Sequence, residues 1–264
     1  MRIPRCLIWV VLLVTSAPLH AVSFDQQHTA WQALLEQHVR WDERGHTSWV
    51  DYPGFSASQT DLNRYLSLLS AVRPEVFAEW SREQRLAFLI NAYNAFTVKL
   101  VLEHYPLKSI KNIGGLFSSP WKRSFIPLLG TSVSLDDIEH GMIRAPGVYD
   151  EPRIHFAVNC ASIGCPALRP EAYTAERLDV QLADATRRFL TDRQRNGYDA
   201  QADNLVLSKI FDWYEQDFIQ GWGSLHAFSQ AHASMLVDNP EQQARLERDI
   251  RIVFAGYDWT LNER

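Results

Sequence analysis

The stretch SREQRLAFLINAYNAFTVKLVLEHYP, residues 81–106, decides the fold of this chain. Ser81 and Gln84 have the S-x-x-Q spacing of a capping box, which predicts a helix over residues 82–104. From Leu86 to Leu102 apolar residues lie on nearly every side of that helix. A helix that is apolar all round is normally buried, so we expect it to run through the middle of the protein.

Shorter amphipathic helices and short strands are predicted on both sides of this central helix. Before it, apolar spacing predicts helices over residues 25–41, 58–71 and 75–80. After it, the same spacing predicts helices over residues 135–144, 175–191, 209–219 and 240–254, and strands at 153–158 and 204–208. Because regular β-α alternation is absent, the pattern indicates an α+β, helix-rich single domain with a small sheet of short strands.

Composition excludes several classes of protein. The chain has 264 residues, of which 46% are hydrophobic and 22% charged, which is too apolar for a disordered or fibrous chain. Its net charge of −5 argues against nucleic acid as a partner. Nine tryptophans invite a sugar-stacking interpretation. Trp31, Trp41, Trp80 and Trp213 sit beside other apolar residues, however, so core packing is the better prediction for most of them.

The N-terminus has the pattern of a secretory signal. Arg2 and Arg5 precede the apolar run Cys6–Val14, and Ala21 offers a small residue for cleavage. Nine apolar residues are too few to span a bilayer, although an uncleaved anchor is the alternative. We therefore expect a periplasmic or secreted protein without a membrane span after cleavage, whose two remaining cysteines lie outside the reducing cytoplasm.

The chemically dense segment is EPRIHFAVNCASIGCPALRP, residues 151–170. Cys160, at the end of a predicted strand, is a candidate nucleophile, and His155 is the nearest candidate base. A straight strand would aim these two side chains to opposite faces, so the turn must redirect Cys160. A Cys160–Cys165 disulfide, inert buried thiols and zinc ligation are the alternatives. The H-x4-C-x4-C spacing matches no standard zinc site, so we predict no metal and no cofactor.

Three polar residues elsewhere could serve the same site. Glu139, on the helix predicted over 135–144, could accept the second ring N–H of His155, or it is an ordinary half-exposed residue. Asn91 and Asn94 share one face of the central helix and must find hydrogen-bond partners there. They could contact a ligand or stabilise an oxyanion, or they could brace the loop that carries the cysteines.

Five motifs, in order along the chain, resemble the domain of unknown function 547 family. They are LAFLINAYNA at 86–95, SLDDIEHG at 134–141, PRIHFAVNCAS at 152–162, LSKIFDW at 207–213 and YDWTLN at 257–262. The N-terminal pattern and the resemblance together divide the chain into a signal at 1–21, an N-terminal helical segment at 22–79 and a family core at 80–264. The core motifs of the family it resembles fall on Asn91, Asn94, Glu139, His155, Cys160 and Ser162.

The resemblance implies no established activity, so two functions stay open. The first is a thiol-dependent hydrolase or acyltransferase that acts on a peptide, amide or cell-envelope substrate. In it Cys160 is the nucleophile, His155 the base and Glu139 its orienting partner, while Asn91, Asn94 and Ser162 bind substrate. The second is a non-catalytic binding or scaffold module with a Cys160–Cys165 disulfide. Members of the family from plants keep a cysteine near the position of Cys160 but not at Cys165, which argues against an obligatory bridge across the family.

Overall fold

The central helix, α5, spans Arg82–Leu102 in the computed structural model, which describes residues 23–114, 119–248 and 250–263. Ser81 and Gln84 cap it reciprocally, as the sequence predicts. Fifteen of its residues are buried, so the prediction of a central helix is confirmed. By length and composition it could cross a membrane, but most of it is enclosed by the rest of the protein. The predicted signal sequence, residues 1–21, lies outside the described residues.

Four short helices and one hairpin precede α5 in the chain. The helices are α1 (Thr29–His38), α2 (Tyr52–Ala57), α3 (Gln59–Ser70) and α4 (Pro74–Glu79). The antiparallel hairpin consists of β1 (Val39–Trp41) and β2 (Ser48–Val50). The first helix is therefore shorter than predicted, because pairing with β2 draws residues 39–41 into a strand. Pro53 and Gly54 lie in the first turn of α2.

After α5 the described chain forms a second antiparallel hairpin and several short irregular helices. The hairpin is β3 (Ile126–Leu128) with β4 (Thr131–Val133). A π-helix at Asp137–Ile143 follows, and Ser134 and Asp137 cap it reciprocally. Pro152–Phe156 is a 3-10 helix, so the strand predicted at 153–158 is wrong. Glu151 caps it by accepting from the backbone N–H of Arg153, and this local bond outweighs the β-type side-chain pattern.

The C-terminal part consists of a three-stranded sheet surrounded by helices. Helix α6 (Leu178–Leu190) has the predicted apolar face. The sheet has the order β5 (Gly197–Asp199), β6 (Asn204–Leu207) and β7 (Arg251–Phe254), with β6 and β7 parallel. The remaining helices are α7 (Lys209–Trp213), α8 (Glu215–Trp222), α9 (Leu225–Ala231), α10 (Ala233–Leu236) and α11 (Pro240–Leu246).

Two long helices predicted in this part are shorter than expected. The helix predicted over 209–219 is divided between α7 and α8, and α11 covers only the first half of the helix predicted over 240–254. Residues 251–254 instead pair in parallel with β6, a non-local partner that local spacing does not reveal.

Two hydrophobic clusters fill the interior, and the fold class is confirmed. One cluster joins α1–α5 to the first part of the cysteine-bearing region, and the other lies beneath α6–α9 and the three-stranded sheet. The protein is 52% helical with only short strands, which is the predicted α+β, helix-rich single domain. The C-terminal segment returns to the first cluster, where Ser162 bridges Leu261 and Val50 bridges Glu263. This return brings the chain's end against the cysteine-bearing region.

Candidate functional site

Residues 157–166, here called the cysteine loop, carry both cysteines and are held by α5. The Asn94 Nδ2 donates to the Ala157 carbonyl at 3.0 Å, and its Oδ1 accepts from the Asn159 N–H at 2.8 Å. The Asn159 Oδ1 in turn accepts from the N–H of Ala161, a non-glycine residue in the left-handed region with φ of 60°. The backbone around Cys160 is thus fixed by buried amides.

Neither asparagine of α5 lines the cavity described below. Asn91 makes the same pair of bonds as Asn94, one turn earlier, to another segment. It donates to the Tyr173 carbonyl at 2.7 Å and accepts from the Tyr173 N–H at 3.0 Å. Both side chains therefore brace backbone, and neither faces the cavity.

The two cysteines are joined in a disulfide, which closes one side of the site. The Tyr257 hydroxyl donates to the Cys165 Sγ at 3.2 Å and lies 3.1 Å from the Cys160 Sγ. Ser162 is 1% exposed and donates to that hydroxyl at 3.2 Å. It therefore helps to hold the Tyr257 hydroxyl against the disulfide. Burial raises the pKa of Tyr257 to about 12, so its hydroxyl remains a donor. In this state Cys160 holds no thiolate and cannot act as the predicted nucleophile.

His155 is buried and is bonded to a carboxylate that the sequence did not reveal. Its Nε2 lies 2.7 Å from the Asp217 Oδ2, and its ring stacks on Tyr214 at a centroid distance of 3.9 Å. Burial lowers the pKa of His155, which keeps the ring neutral. Since a carboxylate only accepts, the neutral ring carries its proton on Nε2 and leaves Nδ1 with a lone pair. That Nδ1 is buried and has no hydrogen-bond partner.

Asp217, at the start of α8, replaces Glu139 as the orienting partner of His155. Burial alone would raise the pKa of Asp217, but hydrogen bonds from His155 and Arg144 outweigh it and hold that pKa well below its usual value. The two Arg144 bonds measure 2.6 and 2.9 Å. The prediction that Glu139 accepts the second ring N–H is therefore wrong. The 3-10 geometry of residues 152–156 turns the imidazole toward α8 instead.

Glu139 nevertheless belongs to the same site. It is 5% exposed, and its Oε1 is buried with no hydrogen-bond partner. After burial itself, its charge is the largest cause of the raised pKa of both Tyr93 and Tyr214. The carboxylate therefore lies between these two phenols, on the side of the π-helix that faces the cysteine loop.

These groups surround a cavity of about 290 Å³. Glu139, His155, Cys160 and Cys165, all singled out in the sequence, line it together. Sequence reasoning missed most of its aromatic wall, which is formed by Tyr93, Trp121, Trp213, Tyr214, Tyr257 and Trp259.

The tryptophans at the cavity form one cluster of rings. Trp213 lies 4.8 Å from Tyr257 and 5.6 Å from Trp259 between ring centroids, and Trp121 lies 5.6 Å from Trp259. Trp213 is 43% exposed, so the core packing predicted for most of the tryptophans does not apply to it. The motif containing Tyr257 and Trp259 was visible in the sequence, but nothing local assigned it to this cavity.

The comparisons with known proteins give a family match over part of the chain and no activity. Residues 77–190 match the model of the family described as protein of unknown function, DUF547. This range includes the cysteine loop, His155 and Glu139, whereas Asp217 and the C-terminal aromatic residues lie beyond it. No curated protein and no solved structure matches the chain.

Proposed function

We propose that this protein is a non-catalytic binding module whose cavity holds a small ligand with an apolar or aromatic body. The observation that carries the proposal is a cavity walled by aromatic rings in which both sulfur atoms are bonded to each other. Its volume of about 290 Å³ lies near the lower end of the range for small-molecule sites. In this function the disulfide and the amides of α5 are structural.

Trp213 supports this proposal because it is a large apolar side chain left 43% exposed at a cavity. Exposed aromatic surface beside a concave site is typical of ligand binding. Its ring and those of Tyr257 and Trp259 present faces on which a planar or apolar ligand can stack.

Calorimetry on the oxidised protein tests the proposal. The probes are 2-phenylethanol, 2-phenylethylamine and 3-phenylpropionate, which share a phenyl body and differ in charge. We expect at least one to bind with a stoichiometry of one, and Trp213→Ala to weaken it about tenfold or more. Val180→Ala removes an exposed apolar side chain away from the cavity and serves as the matched control. Absence of binding by all three probes would contradict the proposal.

The second candidate is the thiol-dependent hydrolase or acyltransferase, acting on a peptide, amide or cell-envelope substrate. It is favoured by one observation, the bond from His155 to Asp217 that leaves a lone pair on Nδ1 in the cavity that Cys160 also lines. After reduction by a dithiol, His155 would take the Cys160 proton, and the thiolate would attack the substrate carbonyl. The leaving group would then receive that proton, and water or an acceptor amine would take the acyl group from Cys160 and restore the thiol.

Alkylation kinetics separate the two functions. Without reductant, an intact mass that shows no alkylation is expected for the binding module. After reduction, the thiol enzyme requires rapid labelling of Cys160 by iodoacetamide near neutral pH, slowed at least about tenfold in His155→Ala. A labelling rate that does not depend on His155 would exclude the enzyme, and fast labelling of unreduced protein would contradict the binding module.

We also propose that the protein acts in the periplasm or is secreted. The charged and apolar pattern of residues 1–21 and the disulfide, which forms in oxidising compartments, support this. Cell fractionation with intact-mass analysis tests it, and the expected product begins at Val22. A cytoplasmic, full-length product would contradict it.

A further inference from the structure

Two buried acceptor atoms on the cavity wall have no partner. The Glu139 Oε1 and the His155 Nδ1 belong to side chains that are 5% and 1% exposed. A carboxylate oxygen only accepts, and Nδ1 accepts because the ring proton is on Nε2, which donates a hydrogen bond to Asp217. Buried acceptors without donors are costly, so the cavity is built to receive a group that donates.

The charges around the cavity select a cation. Among the described residues that line it, Asp136 and Glu139 are acidic, and there is no lysine or arginine. The nearby Arg144 is committed to Asp217 through two hydrogen bonds, and Asp136 lies 3.6 Å from the ring of His140. The charge of Glu139 contributes to the raised pKa of Arg144, but no cation among the described residues forms an ion pair with this buried carboxylate, and a bound cation would supply one.

The aromatic wall suits the same ligand. Cations lie favourably over the faces of tryptophan and tyrosine. Within this protein, Lys111 already places its Nζ 4.7 Å from the centroid of Trp259, and Arg144 lies 4.8 Å from that of Tyr214. A metal ion is a poorer candidate, because the described residues contain no group of three or more histidine, cysteine and acidic side chains placed to hold one.

We propose that the cavity binds a primary ammonium group carried on a small apolar or aromatic body. The N–H groups of the ammonium bond to the Glu139 Oε1 and the His155 Nδ1, and the body lies along Trp213, Tyr257 and Trp259. A quaternary ammonium offers charge without donors and leaves both acceptors unpaired. This inference rests on the proposed binding function and adds the chemical class of the ligand.

The experiment measures charge selectivity by calorimetry at pH 7 with the oxidised protein. 2-Phenylethylamine is the cationic donor, and phenethyltrimethylammonium is the cation without donors. 2-Phenylethanol is the neutral donor, and 3-phenylpropionate is the anion. We expect the primary amine to bind at least about tenfold more tightly than each of the other three.

Glu139→Gln tests which group recognises the charge. We expect it to lose the preference for the amine over the alcohol, while the affinity for 2-phenylethanol changes less than about threefold. Glu103→Gln removes one carboxylate from a residue that does not line the cavity, and the preference should remain. Circular dichroism of each variant verifies that it is folded. If Glu139→Gln is unfolded, the four affinities measured on the unmodified protein still test the ammonium inference.

The outcomes distinguish the ammonium inference from the proposed binding function on which it rests. Binding of the alcohol or the acid as tightly as the amine would overturn the ammonium inference and leave the binding module intact. Equal binding of the primary and quaternary amines would overturn the role of the two acceptors. Failure of all four probes to bind would overturn both proposals.

Discussion

Replacing Asn94 by alanine removes the amide that holds the cysteine loop on α5. The carbonyl of Ala157 and the N–H of Asn159, both buried, would lose their partners. Each buried backbone group left unsatisfied costs about 1–3 kcal/mol. Because the loop can relax and admit water at one of them, we expect the free energy of unfolding to fall by roughly 2–4 kcal/mol.

Asn91→Ala is the matched control. Asn91 lies one turn earlier, is equally buried and makes the same two bonds, but to the backbone of Tyr173. Tyr173 does not line the cavity, whereas Ala157 and Asn159 directly precede Cys160. Both variants should therefore lose similar stability, and only Asn94→Ala should weaken binding of 2-phenylethylamine, by about tenfold.

Urea unfolding followed by circular dichroism gives the stability of both variants, and calorimetry gives the affinity. A loss below about 1 kcal/mol in Asn94→Ala would refute the energetic argument, since a single unsatisfied buried group already costs that much. An equal loss of affinity in Asn91→Ala would show that general destabilisation, not the position of the cysteine loop, controls the cavity.

Three further predictions concern the disulfide, a glycine and a buried histidine. Reducing the disulfide should lower stability by about 2 kcal/mol, because it closes a short loop, and a cysteine-free variant should not respond to reductant in a thermal melt. Gly164→Ala should cost about 1–3 kcal/mol, since its Cβ would lie 2.9 Å from the Asp258 carbonyl, whereas Gly141→Ala, with nothing within 4 Å, should cost almost nothing in the same melt. Burial lowers the pKa of His28 from 6.5 to about 4, so its neutral form stabilises the fold fully above pH 6.5. The unfolding free energy should then fall by roughly 3 kcal/mol from this residue as the pH drops from 6.5 to 4, and His28→Gln should show a correspondingly flatter dependence.

Local signals in the sequence predicted the elements that local bonds create. The capping box at Ser81 and the apolar face of α6 are formed by residues within a few positions of each other, so their spacing was sufficient. Residues 39–41 and 251–254 were predicted as helix because their strand character comes from partners elsewhere in the chain. The strand predicted at residues 153–158 is wrong because of a local bond, not a distant partner. The side-chain cap at Glu151 outweighs the alternating pattern of those residues.

Some residues of the site could be predicted from short motifs, and the others could not. Glu139, His155 and Cys160 were identified by residue type in short motifs, and the fold brings all three to one cavity. Asp217 contacts His155 from 62 residues further along the chain. Tyr257 contacts Cys160 from 97 residues further along. No spacing rule links them to the cysteine loop, because only the packing of α8 and the return of the C-terminus create those contacts.

Both candidate functions require the lone pair on the His155 Nδ1. It has no partner in the disulfide state, and Asp217 occupies the other ring nitrogen. A ligand ammonium that donates to Nδ1 removes the base that a Cys160 thiol would need, and a thiol that donates to Nδ1 removes the acceptor that an ammonium would need. The same cavity therefore cannot bind an amine and activate the cysteine at once. Because the disulfide leaves no thiol to claim the lone pair, the oxidised protein is the state in which a donating ligand should bind.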